Sequence, residues 1–452
     1  MLETYNWPWV EAQSARAAAA WRACAGLPIP PGPNFTPREQ SKREKAFDKA
    51  MRAVEREIPS GSLAPSVRET AQRRLSAVFP RFAAAALGLE REAIGFIADG
   101  FLPAGVEFAR AARRFDAALT MAPIIQACRN AWTVCGLQPL LGERLRLTPS
   151  IVGYSLLYPY TDNYLDSRGE STAAKRAFCR RFRERLRGVR IPALDAHESA
   201  VWALVAMIEG EYPRVSFPQV YEALLAIHQA QEESIAQLGA GRALAESDIL
   251  RISFAKGGTS VLADACLVRG WLHLLESRLS FDWGALLQLG DDLQDVHEDL
   301  RRGSVTLFTR AIALGQPLDA LAAQLLNWSQ QVGLAVNGFS GGSAAFKDLL
   351  RTSWRSIIVG AIGNAPEFFS PAFLGEIERS SPFRFAFLRE RNTSLTGRQG
   401  LYASVFSAFV DEPAAADPSA GRSILCAGSC GTMGHGEPRA QLAAPVPHSS
   451  PC

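Results

Sequence analysis

Between residue 38 and about residue 410, apolar residues recur every three or four positions, the period that gathers them on one face of an α-helix. The pattern predicts helices over residues 67–89, 104–119, 122–137, 151–166, 171–187, 193–209, 219–238, 248–279, 283–301 and 344–362, with Gly and Pro between them. No alternation typical of a β-hairpin interrupts the series, and no period of about 20–50 residues recurs, so a helical-repeat array is disfavoured. A single all-α bundle of about ten helices is the expected fold.

The two ends of the chain depart from this pattern. Five prolines between residues 28 and 37 mark an irregular connection, so residues 1–37 read as an N-terminal extension and residues 38–410 as the helical body. Residues 411–452 are rich in Ala, Pro, Gly and Ser without an apolar period; such a segment buries too little surface to offset its ordering entropy, and a disordered tail is expected.

Composition narrows the function classes. With 452 residues, 48% hydrophobic and 21% charged, the chain is ordinary globular protein, and a net charge of +3 gives no reason to expect nucleic acid as a partner. Its start lacks a basic-then-apolar leader and no run reaches the ~18 apolar residues of a membrane span, so the expectation is a cytoplasmic enzyme, with a homodimer left open. The scattered cysteines suit small buried hydrophobes better than a disulfide framework. Cys426, Cys430 and His435 lack the second pair a zinc knuckle needs.

Two acidic clusters carry the chemistry. Asp162 and Asp166 stand four residues apart, as do Asp291 and Asp295, with Asp292 and Asp299 beside the second pair; a four-residue step places carboxylates on one helix face. Like charges at that spacing destabilise a helix by a few tenths of a kcal/mol per pair, so a compensating cation is expected. On its own the second cluster fits a solvated face balanced by Arg301 and Arg302 as well as it fits a ligand site. The first cluster favours the ligand site. It ends a stripe of Tyr154, Tyr158, Asp162 and Asp166, apolar at one end and acidic at the other, and acids at a helix C-terminus oppose the macrodipole unless a cation is present. Mg²⁺ binds through one or two carboxylates plus phosphate oxygens, so two facing acidic helices could hold such ions against a diphosphate. Pro159 could kink the stripe. Gly257-Gly258, inside the predicted 248–279 helix, reads equally as a break that would aim Lys256 at a ligand or as a point of close helix packing.

The segment Leu286-Leu-Gln-Leu-Gly-Asp-Asp-Leu-Gln-Asp-Val-His-Glu-Asp-Leu-Arg-Arg-Gly-Ser-Val-Thr-Leu resembles the second aspartate-rich motif of class I isoprenoid synthases, most closely that of trans-prenyl diphosphate synthases. Asp162 to Asp166 then takes the place of the first motif, and Lys256-Gly-Gly-Thr259 resembles a Lys-Thr pair that grips diphosphate. The resemblance implies an isoprenoid-synthase-type bundle binding an allylic prenyl diphosphate. It implies Mg²⁺ on Asp162, Asp166, Asp291 and Asp295, with Asp292 and Asp299 as further ligands; Lys256, Thr259 and Arg301 on the leaving group; and Tyr154 and Tyr158 lining the path of the cation.

The departures decide the expected reaction. Asn163 follows Asp162 where elongating enzymes carry a second acid, no Arg-Arg-Gly follows, and Gly142-Glu-Arg-Leu-Arg146 has Glu143 where a Lys belongs. The Asp-x₃-Asp form of the first motif resembles that of bacterial terpene synthases, so a single-substrate terpene synthase is the first expectation; coupling of two prenyl units, by chain elongation or squalene/phytoene-type condensation, is the second, and a catalytically silent helical binding protein the alternative of another class. His197, His228, His273 and His297 stand singly and read as hydrogen-bonded residues. Arg384, Arg389 and Arg391 read as a phosphate lid or, more simply, a solvated face; Glu232 and Glu233 are marginal additions to the pocket.

Overall fold

The structure, a computed structural model, describes residues 4–57, 65–166, 170–237 and 244–396. The described residues contain eighteen α-helices and no strand. In chain order these are α1 (Trp7–Ala23), α2 (Pro37–Glu57), α3 (Pro65–Phe82), α4 (Arg91–Gly95), α5 (Leu102–Phe115), α6 (Met121–Leu140), α7 (Pro149–Asp166), α8 (Thr172–Leu186) and α9 (Ala196–Glu211). There follow α10 (Pro218–Ser234), α11 (Glu246–Arg269), α12 (Leu274–Gln294), α13 (Val296–Arg302), α14 (Leu307–Ala313), α15 (Asp319–Ala335), α16 (Ala344–Asn364), α17 (Pro371–Glu378) and α18 (Phe385–Thr396). The all-α expectation holds; the predicted tail, residues 411–452, lies outside the described residues.

The centre of the bundle is the antiparallel pair α11 and α12. Most of α11 is buried, and the two helices touch backbone to backbone: a Cβ on Gly257 would lie 2.4 Å from the Gly284 carbonyl oxygen, and one on Gly284 would lie 2.0 Å from that of Gly257. Gly258 lies under the ring of Phe281, which a Cβ would meet at 2.5 Å. Gly257-Gly258 therefore marks the crossing point, and α11 continues through it unbroken. The cost of two mid-helix glycines is offset by the close approach they permit.

Two predicted boundaries move. The helix expected over 248–279 is two helices, because Gly270 adopts φ 89 and ends α11, its N–H bonding the Cys266 carbonyl at 2.7 Å. His273 and Glu276 then form the capping box that starts α12. Trp271, Leu272, Leu274 and Leu275 continue the apolar spacing through this turn, which is why periodicity alone conceals it. The 283–301 segment likewise begins inside α12 and turns at Asp295 into α13. α7 runs through Pro159 without ending.

The segment read as an N-terminal extension belongs to the bundle. Asn6 caps α1 by accepting from the Trp9 N–H at 3.0 Å. Tyr5, Val10, Ala17 and Trp21 are buried. Trp21 meets Trp328 of α15 edge-on at 5.8 Å, and Arg16 makes a two-pronged ion pair with Asp282 of α12 at 2.8 and 2.7 Å. α18 is tied to α2 by Arg384 to Glu44, with Nε–Oε1 at 2.9 Å, and by Arg391 to Asp48, while Arg389 donates to the Gly363 carbonyl at 2.9 Å. These three arginines fasten helices, and neither the solvated face nor the lid weighed for them describes that role.

Candidate active site

A cavity of about 460 Å³ opens among α6, α7, α8, α10, α11, α12 and α16. Its lining is mixed, with Tyr154 and Leu157 from α7, Phe182 from α8, Leu224 and Ile227 from α10, and Val261 from α11 among the apolar residues. Lys256, Arg129, Asp291 and Asp295 line it too, so one cavity carries both signs of charge beside apolar side chains. A pocket of this kind, with apolar side chains and a few convergent polar groups, suits a small ligand with a charged head and an apolar body.

The charged groups are linked in two sets. On α7, Asp162 is nearly buried; Gln231 Nε2 donates to its Oδ1 at 2.6 Å, and Lys256 Nζ stands 3.9 Å from Oδ2. This joins the first acidic cluster to the lysine of α11. On α12, Asp291 Oδ1 accepts from Arg129 Nη2 of α6 at 2.9 Å. Asp295 follows one turn later and Asp299 a turn after that. Desolvation by the surrounding protein, then the charge of Asp291, pushes Asp295 up to about 6; desolvation, then Asp295 and Asp291, does the same to Asp299. A row of carboxylates that raise one another's pKa lacks positive charge, and Arg129 supplies part of it. An all-oxygen donor set of this kind suits a hard divalent cation such as Mg²⁺. Among the described residues no three acidic, His or Cys side chains converge into a ready-made ion cage, so an ion held here needs ligands from water and substrate.

Several expected site residues take other positions. Asp292 is buried against α11, accepting from Ser253 Oγ at 3.3 Å and Gln288 Nε2 at 2.8 Å; desolvation, then Asp299 and Asp291, pushes it up to about 7. It faces the helix interface and does not line the cavity. Thr259 is fully buried and its hydroxyl donates to the Ala255 carbonyl at 2.6 Å, within its own helix. Arg301 is exposed on α13, away from the cavity lining. Tyr154 lines the cavity and donates its hydroxyl to the Ser260 carbonyl at 3.2 Å. Tyr158 and Asp166 lie in α7 by backbone, and their side chains fall outside the described part of the structure.

His228 lines the cavity but is buried and bonded to the Cys179 carbonyl at 3.0 Å; desolvation holds its pKa below the ordinary value, so it is a neutral hydrogen-bonded residue. Glu232 pairs with Arg183, and Glu233 with Arg251 at 2.5 Å. Cys24, Cys128, Cys135, Cys179 and Cys266 are free and buried.

The sequence reading missed Arg129, Gln231, Asn130 and Asp264, all in the cavity wall. Arg129 was hidden by an arginine-rich background. Asp264 did leave a signal: it is a lone acid within the apolar run Val261-Leu-Ala-Asp-Ala-Cys-Leu-Val268, and acids are almost never fully buried unless paired.

No protein-family model and no curated protein matches the chain. Among solved structures it is similar to a polyprenyl synthase from Caulobacter crescentus CB15, complexed with calcium and isoprenyl diphosphate, at 16% identity over 80% of this chain and 99% of that one. The TM-score is 0.25, and a likeness at that level carries no weight for function.

Proposed function

We propose that this chain is a Mg²⁺-dependent class I terpene synthase that ionises an allylic prenyl diphosphate. One observation carries the reading: a cavity with an apolar share of its lining opens beside Lys256, Arg129, Asp291 and Asp295, and Asp162, outside that lining, stands 3.9 Å from Lys256. Such a cavity matches a molecule with a polyanionic head and a hydrocarbon tail. In this reading Asp162, Asp291 and Asp295 hold the metal, Asp166 and Asp299 extend the two rows, and Lys256 and Arg129 turn from their aspartates to the diphosphate oxygens. Bound metal would supply Lewis-acid stabilisation of the charge that develops on the leaving group.

The remaining work falls to the chain itself. The apolar side chains of the lining exclude water from the cation, and the faces of Tyr154, Trp132 and Phe182 offer π-electron density to positive charge. The resemblance of residues 286–307 to a class I second motif supports the same reading from the sequence, and Asn163 favours a one-substrate reaction over chain elongation.

The test is a product assay. Purified protein with Mg²⁺ is supplied with allylic diphosphates of ten, fifteen, twenty and twenty-five carbons, each with and without isopentenyl diphosphate, and products are read by mass spectrometry. The expected result is a hydrocarbon or alcohol plus free diphosphate from a single substrate. A longer prenyl diphosphate, formed only when isopentenyl diphosphate is present, would replace this reading with chain elongation.

A further inference from the structure

Residues 175–190 hold eight Lys and Arg against one acid, Glu184, and none of the eight lines the cavity. Most of this run lies on α8, which is amphipathic. Phe178, Cys179, Phe182 and Leu186 are buried, while Arg176, Arg180, Arg183 and Arg187 follow at steps of four, three and four and form a stripe along the outer flank. Ion pairs take up part of the charge: Arg181 meets Glu198 of α9 at 2.7 Å, Arg183 meets Glu232 of α10, Arg185 meets Glu209 of α9 at 2.5 Å, and Arg187 meets Glu184 at 2.8 Å. Arg176, Arg180 and Arg190 are exposed and have no ion-pair partner among the described residues. The flank therefore keeps a surplus of positive charge.

The end of α8 adds apolar surface to that charge. The chain turns at Gly188, with φ 91, where a Cβ would lie 2.9 Å from Arg214 Nε. Arg214 donates to the Leu186 carbonyl, and to the Arg185 carbonyl at 3.1 Å, so the turn between α9 and α10 lies against the end of α8. Between the two loops is a hollow of about 640 Å³, lined by Arg185, Arg190 and Arg214 with Glu209 as its one acid, and given an apolar edge by Ile191. The same loops carry three exposed apolar side chains: Val189 is 43% exposed, Leu194 73% and Val215 98%. Single exposed apolar residues are ordinary on a protein surface; three of them in neighbouring loops, beside unpaired arginines, define a surface with two chemistries.

We propose that the outer flank of α8, with the 188–194 loop and the 213–216 turn, docks on a bilayer that carries anionic phospholipids. Arg176, Arg180 and Arg190 meet the headgroup phosphates, the arginine-lined hollow receives a headgroup, and Val189, Leu194 and Val215 enter the boundary between headgroups and acyl chains. The charge calls for an anionic partner, and the apolar side chains choose among anionic partners. A nucleic acid backbone would leave them in water. A protein partner needs a contiguous patch of about 800 Å², whereas a valine 98% exposed stands clear of its neighbours and suits a fluid surface. No helix among the described residues is long and apolar enough to cross a membrane, so the contact is peripheral. The proposal is independent of the terpene-synthase reading, because none of the docking residues lines that cavity.

The test is vesicle flotation of the full chain with phosphatidylcholine alone and with phosphatidylcholine and phosphatidylglycerol mixed about 2:1, each at low and high salt. Wild type is expected to bind the anionic vesicles at least about tenfold more tightly than the neutral ones, and to be released by salt. Arg176→Gln/Arg180→Gln/Arg190→Gln should weaken binding at least about tenfold. Lys42→Gln/Lys45→Gln/Lys49→Gln removes the same charge from exposed positions of α2 and should leave affinity within about twofold. Leu194→Ser/Val215→Ser should weaken binding about threefold to tenfold with the salt dependence unchanged. Every substituted side chain is exposed, so melting temperatures close to wild type are expected throughout and show that the fold is kept.

No binding to anionic vesicles, an equal loss in the lysine variant, or an arginine variant that binds as wild type does would overturn the proposal. So would a Leu194→Ser/Val215→Ser protein with wild-type affinity for vesicles. Duplex DNA bound as tightly as the anionic vesicles would assign the patch to nucleic acid instead.

Discussion

At the scale of the residue, Asp291 and Asp264 show how surroundings give one side chain two roles. Asp291 is half exposed and sits among like charges, so its worth lies in what it binds. In Asp291→Asn, loss of the exposed pair with Arg129 costs about 0–1 kcal/mol, and relief of repulsion with Asp295 returns a few tenths. The expected outcome is a melting temperature within a few degrees of wild type and a fall of at least about a hundredfold in diphosphate release. Full activity would remove this carboxylate from the site. Asp264 behaves oppositely: desolvation raises its pKa well above the ordinary value, and Cys135 and Tyr154, which face it from α6 and α7, are held neutral by the same burial. A carboxyl raised in the native state binds more protons there than in the unfolded chain, whose value is about 3.9. Its contribution is therefore complete below that pH and is lost as the pH climbs toward the native value. Asp264→Asn lacks this dependence, so thermal melts at pH 5, 7 and 9 should show wild type falling steadily relative to the variant. Parallel profiles would mean that Asp264 is charged in the fold. The acidic pairs were legible in the sequence because their spacing is local. Arg129 and Gln231 were not, because what makes them part of the site is the packing of α6 and α10 beside α11 and α12.

At the scale of the element, the α11–α12 crossing positions the site, since it carries Lys256 on one helix and Asp291 on the other. Gly257→Ala would drive a methyl to 2.4 Å from a backbone carbonyl that has nowhere to go. A loss of about 1–3 kcal/mol is expected, together with loss of activity as the two helices separate. Gly360→Ala in α16 is the control, because a Cβ there meets nothing within 4 Å and helix propensity favours the change by up to about 1 kcal/mol. Chemical denaturation of both variants decides the matter, and a Gly257→Ala protein as stable as wild type would contradict the crossing. Period alone gave the segments that fall on α3, α5–α13 and α16, but none over α1, α2 or α15. Whether Gly257-Gly258 was a break or a crossing was not readable from it, because both satisfy the same spacing and only the partner helix distinguishes them. The turn at Gly270 was concealed because Trp271, Leu272, Leu274 and Leu275 keep a helix-like apolar spacing, although only Leu272 is buried and the other three are exposed.

At the scale of the whole molecule, the described helices form one body that includes the N-terminal segment. The proline cluster at 28–37 misled the reading of residues 1–37, because composition marks the connection and cannot say whether the helix before it docks. Trp21, nearly inaccessible against Trp328, answers that: Trp21→Ala should cost about 3–5 kcal/mol, whereas removing residues 412–452 should leave the melting temperature unchanged. A mild Trp21→Ala or a destabilising truncation would reverse the assignment of what belongs to the body. The central claim is that the cavity takes a prenyl diphosphate at its charged end with the help of a divalent cation. Its most direct test is calorimetric titration of the full chain with a non-ionisable thiolodiphosphate analogue of a fifteen-carbon allylic diphosphate, with Mg²⁺ and with EDTA, in wild type and Asp291→Asn. Binding that needs Mg²⁺ and weakens at least tenfold in Asp291→Asn is the predicted result. Equal affinity with and without the metal, or no binding at all, would contradict the account.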